Sequence, residues 1–193
     1  MDEEIQIDLR SDDHFMGEAL RQALRAYEAE EVPVGAVIVR NGKIIARAFN
    51  QVELLKDATA HAEMLAITQA ETSVGDWRLN DCTLYVTKEP CPMCAGAMVH
   101  ARLGKVVFGV GDPKAGAAGS ALNLLQFPTL NHRSDIVRGV RDDGLIIGRP
   151  GLGGLGGDIT QGADGLEARA DRGGLAFAEG QEDFGHGARV AEG

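Results

Sequence analysis

Val34-Gly35-Ala36-Val37-Ile38-Val39-Arg40-Asn41-Gly42-Lys43-Ile44-Ile45-Ala46-Arg47-Ala48-Phe49 is the stretch whose reading decides the fold. Its first half is a β-branched run that reaches Asn41-Gly42, the strongest short hairpin signal, and the chain resumes at Lys43. Residues 34–39 and 43–49 are therefore read as two strands of one hairpin. Upstream, Phe15, Ala19, Leu20, Ala23, Leu24 and Tyr27 recur at helical spacing, which predicts an amphipathic helix over 13–30 with Ser11, Asp12 or Asp13 as its N-cap. Downstream, a second helix is expected from about Thr59, a suitable cap, through Met64, Leu65 and Ile67 to about Ser73. Then follow a strand at 84–87, a helix at 91–102, a strand at 106–109, a short helix at 121–126 and a last strand at 136–140. A hairpin succeeded by helix–strand–helix–strand units implies a mixed central sheet with helices on its faces, an α/β or three-layer α/β/α domain.

The 193 residues suit one domain with at most a short extension. No run of about 18 apolar residues exists, and the start MDEEIQIDLRSDD lacks the basic-then-apolar pattern of a secretion signal, so a soluble, cytoplasmic protein with no membrane partner is expected. A net charge of −10 argues against a generic basic surface for polyanions; any nucleic acid must be gripped locally. Composition changes near residue 141: 15 of the 26 glycines fall after residue 140, where Lys, Cys, Met, Trp and Tyr are all missing. Such a segment buries too little surface to offset the entropy of ordering it. The expected organisation is a folded domain over 1–143 and a Gly-rich, disordered tail over 144–193.

Two short motifs carry chemistry: His61-Ala62-Glu63, and Pro90-Cys91-Pro92-Met93-Cys94, each at the start of an expected helix. His-x-Glu alone says almost nothing, and Cys-x-x-Cys alone is ambiguous among a zinc knuckle, a redox pair and two unrelated thiols. Together they supply one nitrogen and two thiolates, and zinc held by three protein ligands keeps its fourth tetrahedral position open for water. Cys91 and Cys94 stand at i and i+3 on one helical face, beside a helix N-terminus that favours thiolate. A structural zinc site wants a fourth ligand: Cys82 lies in the apolar run Cys82-Thr83-Leu84-Tyr85-Val86, and His14, His100, His132 and His186 lie outside any ligand motif. Glu63, two residues beyond a ligand, is placed to move protons to and from the activated water as general acid and base.

The motifs resemble those of the bacterial tRNA-specific adenosine deaminases of the cytidine deaminase superfamily, over about residues 14–142. The likeness runs through Glu31-Val32-Pro33-Val34-Gly35-Ala36-Val37, Asn50, residues 57–63, Tyr85-Val86-Thr87-Lys88-Glu89-Pro90-Cys91-Pro92-Met93-Cys94, residues 107–109, Asp112-Pro113-Lys114-Ala115-Gly116-Ala117-Ala118-Gly119-Ser120 and Asn131-His132-Arg133. The resemblance implies a three-layer α/β/α cytidine-deaminase-like domain that converts the wobble adenosine of a tRNA anticodon loop to inosine. It implies one zinc ion per subunit on His61, Cys91 and Cys94, proton transfer by Glu63, and a homodimer. It further implies that Asn50 and Val34 meet the flipped adenine and that Asp112, Lys114 and Asn131 hold neighbouring nucleotides. A bland reading stands beside each: Asn50 closing a turn, Asp112-Pro113 as ordinary loop chemistry, Lys114 as a solvated charge.

Two features depart from the family pattern. Lys88 occupies a position that is usually apolar there. After Asp142-Asp143 the family continues into a C-terminal helix that packs on the core and helps hold tRNA, whereas this chain passes into its glycine-rich tail; an out-of-frame reading of a GC-rich gene and a genuine extension are the two origins to weigh. The rival functions are a free nucleobase or nucleoside deaminase with the same zinc machinery, and a non-catalytic zinc-bearing RNA-binding subunit, which has no need of Glu63.

Overall fold

Residues 8–141 are described by the structure, a computed structural model; the tail expected over 144–193 lies outside them. Helix α1 (Asp12–Glu28) is followed by the hairpin β1 (Gly35–Arg40) and β2 (Lys43–Phe49), the one-turn helix α2 (Val52–Leu55), α3 (Ala62–Val74), β3 (Cys82–Lys88), α4 (Pro92–His100), β4 (Lys105–Val110) and β5 (Asp135–Arg138). The sheet order is β2-β1-β3-β4-β5, with β1 antiparallel to both β2 and β3, and the β3–β4 and β4–β5 pairs parallel. This is the mixed sheet that the alternation of elements implies.

The two-residue period of a strand divides the core into two layers. Ala36, Ile38, Leu84, Val86, Val106 and Phe108 face α3 and α4, where Ala62, Ala66, Ala70, Cys94, Ala95 and Met98 meet them. Val37, Val39, Tyr85 and Val107 point the other way, against Phe15, Met16 and Ala19 of α1. The domain is thus α1, sheet, and α3 with α4. Asn41 and Gly42 take φ of 52° and 72°, the pair of left-handed residues that a tight hairpin turn of matching twist requires. At Gly35 the approach of β1 to α1 is closest: a Cβ there would land on the backbone of Ala19 and Ala23. Ser11 caps α1, its hydroxyl accepting from the His14 amide at 3.1 Å.

Several local expectations are corrected. Thr59 does not cap the second helix; its amide and hydroxyl both donate to Asp57 Oδ1, at 2.8 and 2.7 Å, forming a turn of its own, and α3 starts later with His61 as N-cap. Residues 121–126 are not helical. Ala121 and Leu122 donate to the Gly116 carbonyl, Leu124 to the Ala117 carbonyl, and the Asn123 side chain accepts from Gln126, so the backbone donors a helix needs are used across the loop. The last strand ends at Arg138, before Gly139 at φ 76°, rather than at 140. Helix α2 has no periodic signal, because it forms around a carboxylate some twenty residues upstream: Glu31 accepts the amides of Glu53 and Leu54 at 3.2 and 2.7 Å. No helix among the described residues is long and apolar enough to cross a membrane.

Candidate active site

The loops leaving β2 and β3 deliver both motifs to one end of the sheet, where two helices begin side by side. His61 is the N-cap of α3 and Cys91 the N-cap of α4, with Pro92 as the first helical residue, a position where a missing N–H costs nothing. Cys94, one turn on, is fully buried. His61 Nδ1 lies 3.6 Å from Cys91 Sγ and 3.5 Å from Cys94 Sγ, and the two sulfurs are 3.6 Å apart.

These spacings test the metal reading. Tetrahedral coordination with Zn–S near 2.3 Å and Zn–N near 2.0–2.1 Å sets its donors roughly 3.6–3.8 Å from one another. The trio fits that triangle, spacings that sulfur–sulfur and sulfur–nitrogen contact also satisfies. Among the described residues, this is the group of three or more potential ligands close enough to share one ion. The Cys91 thiol is drawn down to about 5, first by its hydrogen bond with Cys94 and then by the amides of the α4 N-terminus and nearby His61, against the opposing effect of burial. Cys94 is pushed up, by the same hydrogen bond and by burial. A lowered thiol favours the thiolate, the form that binds a divalent cation such as zinc.

Glu63 sits in the first turn of α3, 4% exposed. Burial pushes its carboxyl above the ordinary range. Among the described residues, its Oε2 is the buried side-chain oxygen or nitrogen left without a hydrogen-bond partner. A buried polar atom of this kind is costly unless something polar is meant to sit beside it. A cavity of about 340 Å³ opens onto it, lined by Val34, Asn50, His61, Glu63, Lys88, Cys91, Asp112 and six neighbours. The volume suits a planar heterocycle.

The structure therefore brings Val34, Asn50, His61, Glu63, Cys91 and Asp112 to one cavity, with Cys94 beside His61 and Cys91. Lys114 and Asn131 are exposed and outside its lining; the Asn131 carbonyl accepts from Arg102 instead. Two carboxylates that sequence reasoning assigned no role organise the walls. Glu31, fully buried, accepts from Asn50 Nδ2 at 3.0 Å. Glu89, 3% exposed, accepts the amides of Asp112, Ala118 and Ser120 at 2.9–3.0 Å and the Ser120 hydroxyl, so it holds the whole 112–120 loop. Burial opposes ionisation of Glu89, but the Ser120 hydroxyl and the amides outweigh it and keep the carboxyl below its usual range. The one available signal was an acid directly following a buried strand and preceding Pro90.

The MafB19-like deaminase family matches residues 10–143. A tRNA-specific adenosine deaminase of Bacillus subtilis (strain 168) is 52% identical over 135 residues, spanning 70% of this chain and 84% of its own length. The chain belongs to the tRNA-specific adenosine deaminase family. A solved structure from a study of A-to-I editing by tRNA:A34 deaminases at the wobble position superposes on this deaminase-family chain with a TM-score of 0.65 and 44% identity, over 67% of this chain and 94% of that one. Guanine deaminase from Bacillus subtilis aligns at 40% identity and a TM-score of 0.52, over 57% and 71%. The family thus shares this mixed five-stranded sheet and its flanking helices.

Proposed function

We propose that the chain hydrolytically deaminates adenosine to inosine at the wobble position of a tRNA anticodon loop. The observation that carries the proposal is the pairing of a three-donor triangle of zinc dimensions with a buried carboxylate whose Oε2 has no hydrogen-bond partner, in a base-sized cavity. Family membership supports the substrate.

His61, Cys91 and Cys94 would hold the zinc ion, and three protein donors leave its fourth position for solvent. When bound, zinc supplies Lewis acidity that makes water a nucleophile near neutral pH. Glu63 takes a proton from the attacking water and delivers it to the adenine ring nitrogen beside C6; it then passes the second proton to the departing amine. Water and adenosine are thereby converted to inosine and ammonia. A carboxyl raised by burial is suited to both directions of that transfer. Asn50, fixed by Glu31, presents its amide to the base, while Val34 supplies an apolar wall. An anticodon loop is single-stranded, so turning its base into the cavity needs little unstacking.

The same reading takes 1–143 as the catalytic domain, supported by the family match over residues 10–143; residues 144–193 lie outside the described residues. It also takes the working form as a cytoplasmic homodimer. The test is an anticodon stem-loop carrying a wobble adenosine, incubated with zinc-loaded protein and analysed for inosine. Wild-type protein produces inosine, and Glu63→Ala retains zinc with a loss of about 10²–10⁴ in rate. Full activity in Glu63→Ala, or guanine turned over in place of the stem-loop, overturns the proposal.

A further inference from the structure

We propose that Lys88 is a substrate-binding residue whose ammonium group takes a phosphate oxygen of the RNA backbone next to the base held in the cavity. The inference rests on the reading of that cavity as an RNA site and adds a contact that neither the zinc trio nor Glu63 supplies.

Lys88 ends β3, three residues before Cys91, and lines the same cavity as Asn50, His61 and Glu63. Its side chain is 47% exposed, so it belongs both to the cavity lining and to the solvent-facing surface. Every other formally charged residue of the lining is acidic: Glu31, Glu53, Glu63, Glu89 and Asp112. A polyanionic loop approaching this mouth is repelled unless a cation meets its phosphates, and Lys88 is the Lys or Arg in the lining.

The hydrogen-bond arithmetic around Asp112 points the same way. Asp112 Oδ1 accepts the amides of Lys114 and Ala115 at 3.0 and 3.1 Å, which closes the turn at that point of the loop. Its Oδ2 pairs with Lys88 Nζ at 2.8 Å. Both carboxylate oxygens are engaged by the chain itself, so Asp112 braces the mouth and holds Lys88 there. An ammonium carries three N–H donors. One goes to Asp112, and two are left for a ligand. The brace holds a long, flexible side chain in place before substrate arrives, which lowers the entropy lost on binding. Because Glu89 fixes the loop and Asp112 of that loop pairs with Lys88, the cation is held in a defined place at the cavity lining.

The experiment compares full-length, zinc-loaded wild type with Lys88→Met, which keeps the stem and removes the charge, and with Lys88→Arg. Binding of the anticodon stem-loop is measured by fluorescence anisotropy across a salt series, beside steady-state inosine formation. One phosphate contact on single-stranded RNA contributes a slope of about 0.7 in log K against log salt. Lys88→Met is therefore expected to flatten the slope by about 0.7 and to weaken binding roughly eightfold at 50 mM salt, with KM raised and kcat kept. Lys88→Arg restores both. A Lys88→Met protein with wild-type affinity and slope overturns the inference and leaves the deaminase reading standing, as does a drop in kcat at unchanged KM. If wild type itself does not bind the stem-loop, both fall together.

Discussion

Replacing Glu89 by Gln should unlock the loop that walls the cavity while leaving His61, Cys91 and Cys94 untouched. The size of the effect follows from the four donors that converge on this buried carboxylate: the amides of Ala118 and Ser120 on Oε1, the amide of Asp112 and the Ser120 hydroxyl on Oε2. A glutamine keeps one oxygen but turns an NH2 group toward one of the two donor pairs. At least one backbone amide then faces another donor, and each buried N–H stranded this way costs about 1–3 kcal/mol. Losing the negative charge also weakens the bonds that remain. The total is about 3 kcal/mol, most of it confined to the loop. At 1.4 kcal/mol per tenfold change, opening of the loop becomes roughly 100-fold more frequent. Hydrogen exchange followed by NMR reads this directly: the amides of Asp112, Ala118 and Ser120 should exchange about two orders of magnitude faster in Glu89→Gln. Amides in the middle of β1 and β3 should change far less. If the three loop amides exchange at wild-type rates, the assignment of Glu89 as the anchor is wrong.

Gly35→Ala should destabilise the domain by about 2–4 kcal/mol, because the added methyl meets the α1 backbone at Ala19 and Ala23, which cannot move aside as a side chain would; a urea midpoint within error of wild type would contradict this. Asp12 links α1 to the sheet through Lys105 Nζ at 2.8 Å and the Tyr85 hydroxyl at 2.7 Å. Burial raises its carboxyl, but the bonds from Lys105 and Tyr85 outweigh that and hold it below the usual range. A depressed native value means the stabilisation is complete above the unfolded value near 3.9 and is lost as pH falls through the lower native one. With its partial exposure discounted, Asp12→Asn should cost about 1 kcal/mol equally at pH 7 and pH 5, with the gap closing below about pH 4; a gap that widens toward acid refutes the pairing.

The parts legible from sequence are those whose signal is local. Val34 to Phe49 announces its hairpin because Asn41-Gly42 carries the turn and β-branched residues precede it, and both motif segments reveal themselves by ligand chemistry at helix starts. What escaped depends on partners distant in the chain. Helix α2 exists because Glu31 receives its first amides, and Asn50 is oriented by the same carboxylate. Glu89 meets donors 23 to 31 residues away. The 121–126 segment has apolar residues at helical spacing, yet its amides are claimed by the Gly116 and Ala117 carbonyls. Thr59 illustrates a local signal read in the wrong frame: its hydroxyl does cap something, but the cap is a turn on Asp57. Lys114 and Asn131 were assigned by resemblance alone, and their side chains lie outside the cavity lining.

X-ray absorption at the zinc edge on the purified chain tests the central claim most directly. One zinc per chain, bound by two sulfurs near 2.3 Å and two lighter donors near 2.0 Å, is the predicted result, with the sulfur signal halved in Cys94→Ala. Protein that forms inosine with no metal bound, or a zinc shell containing no sulfur, would contradict it.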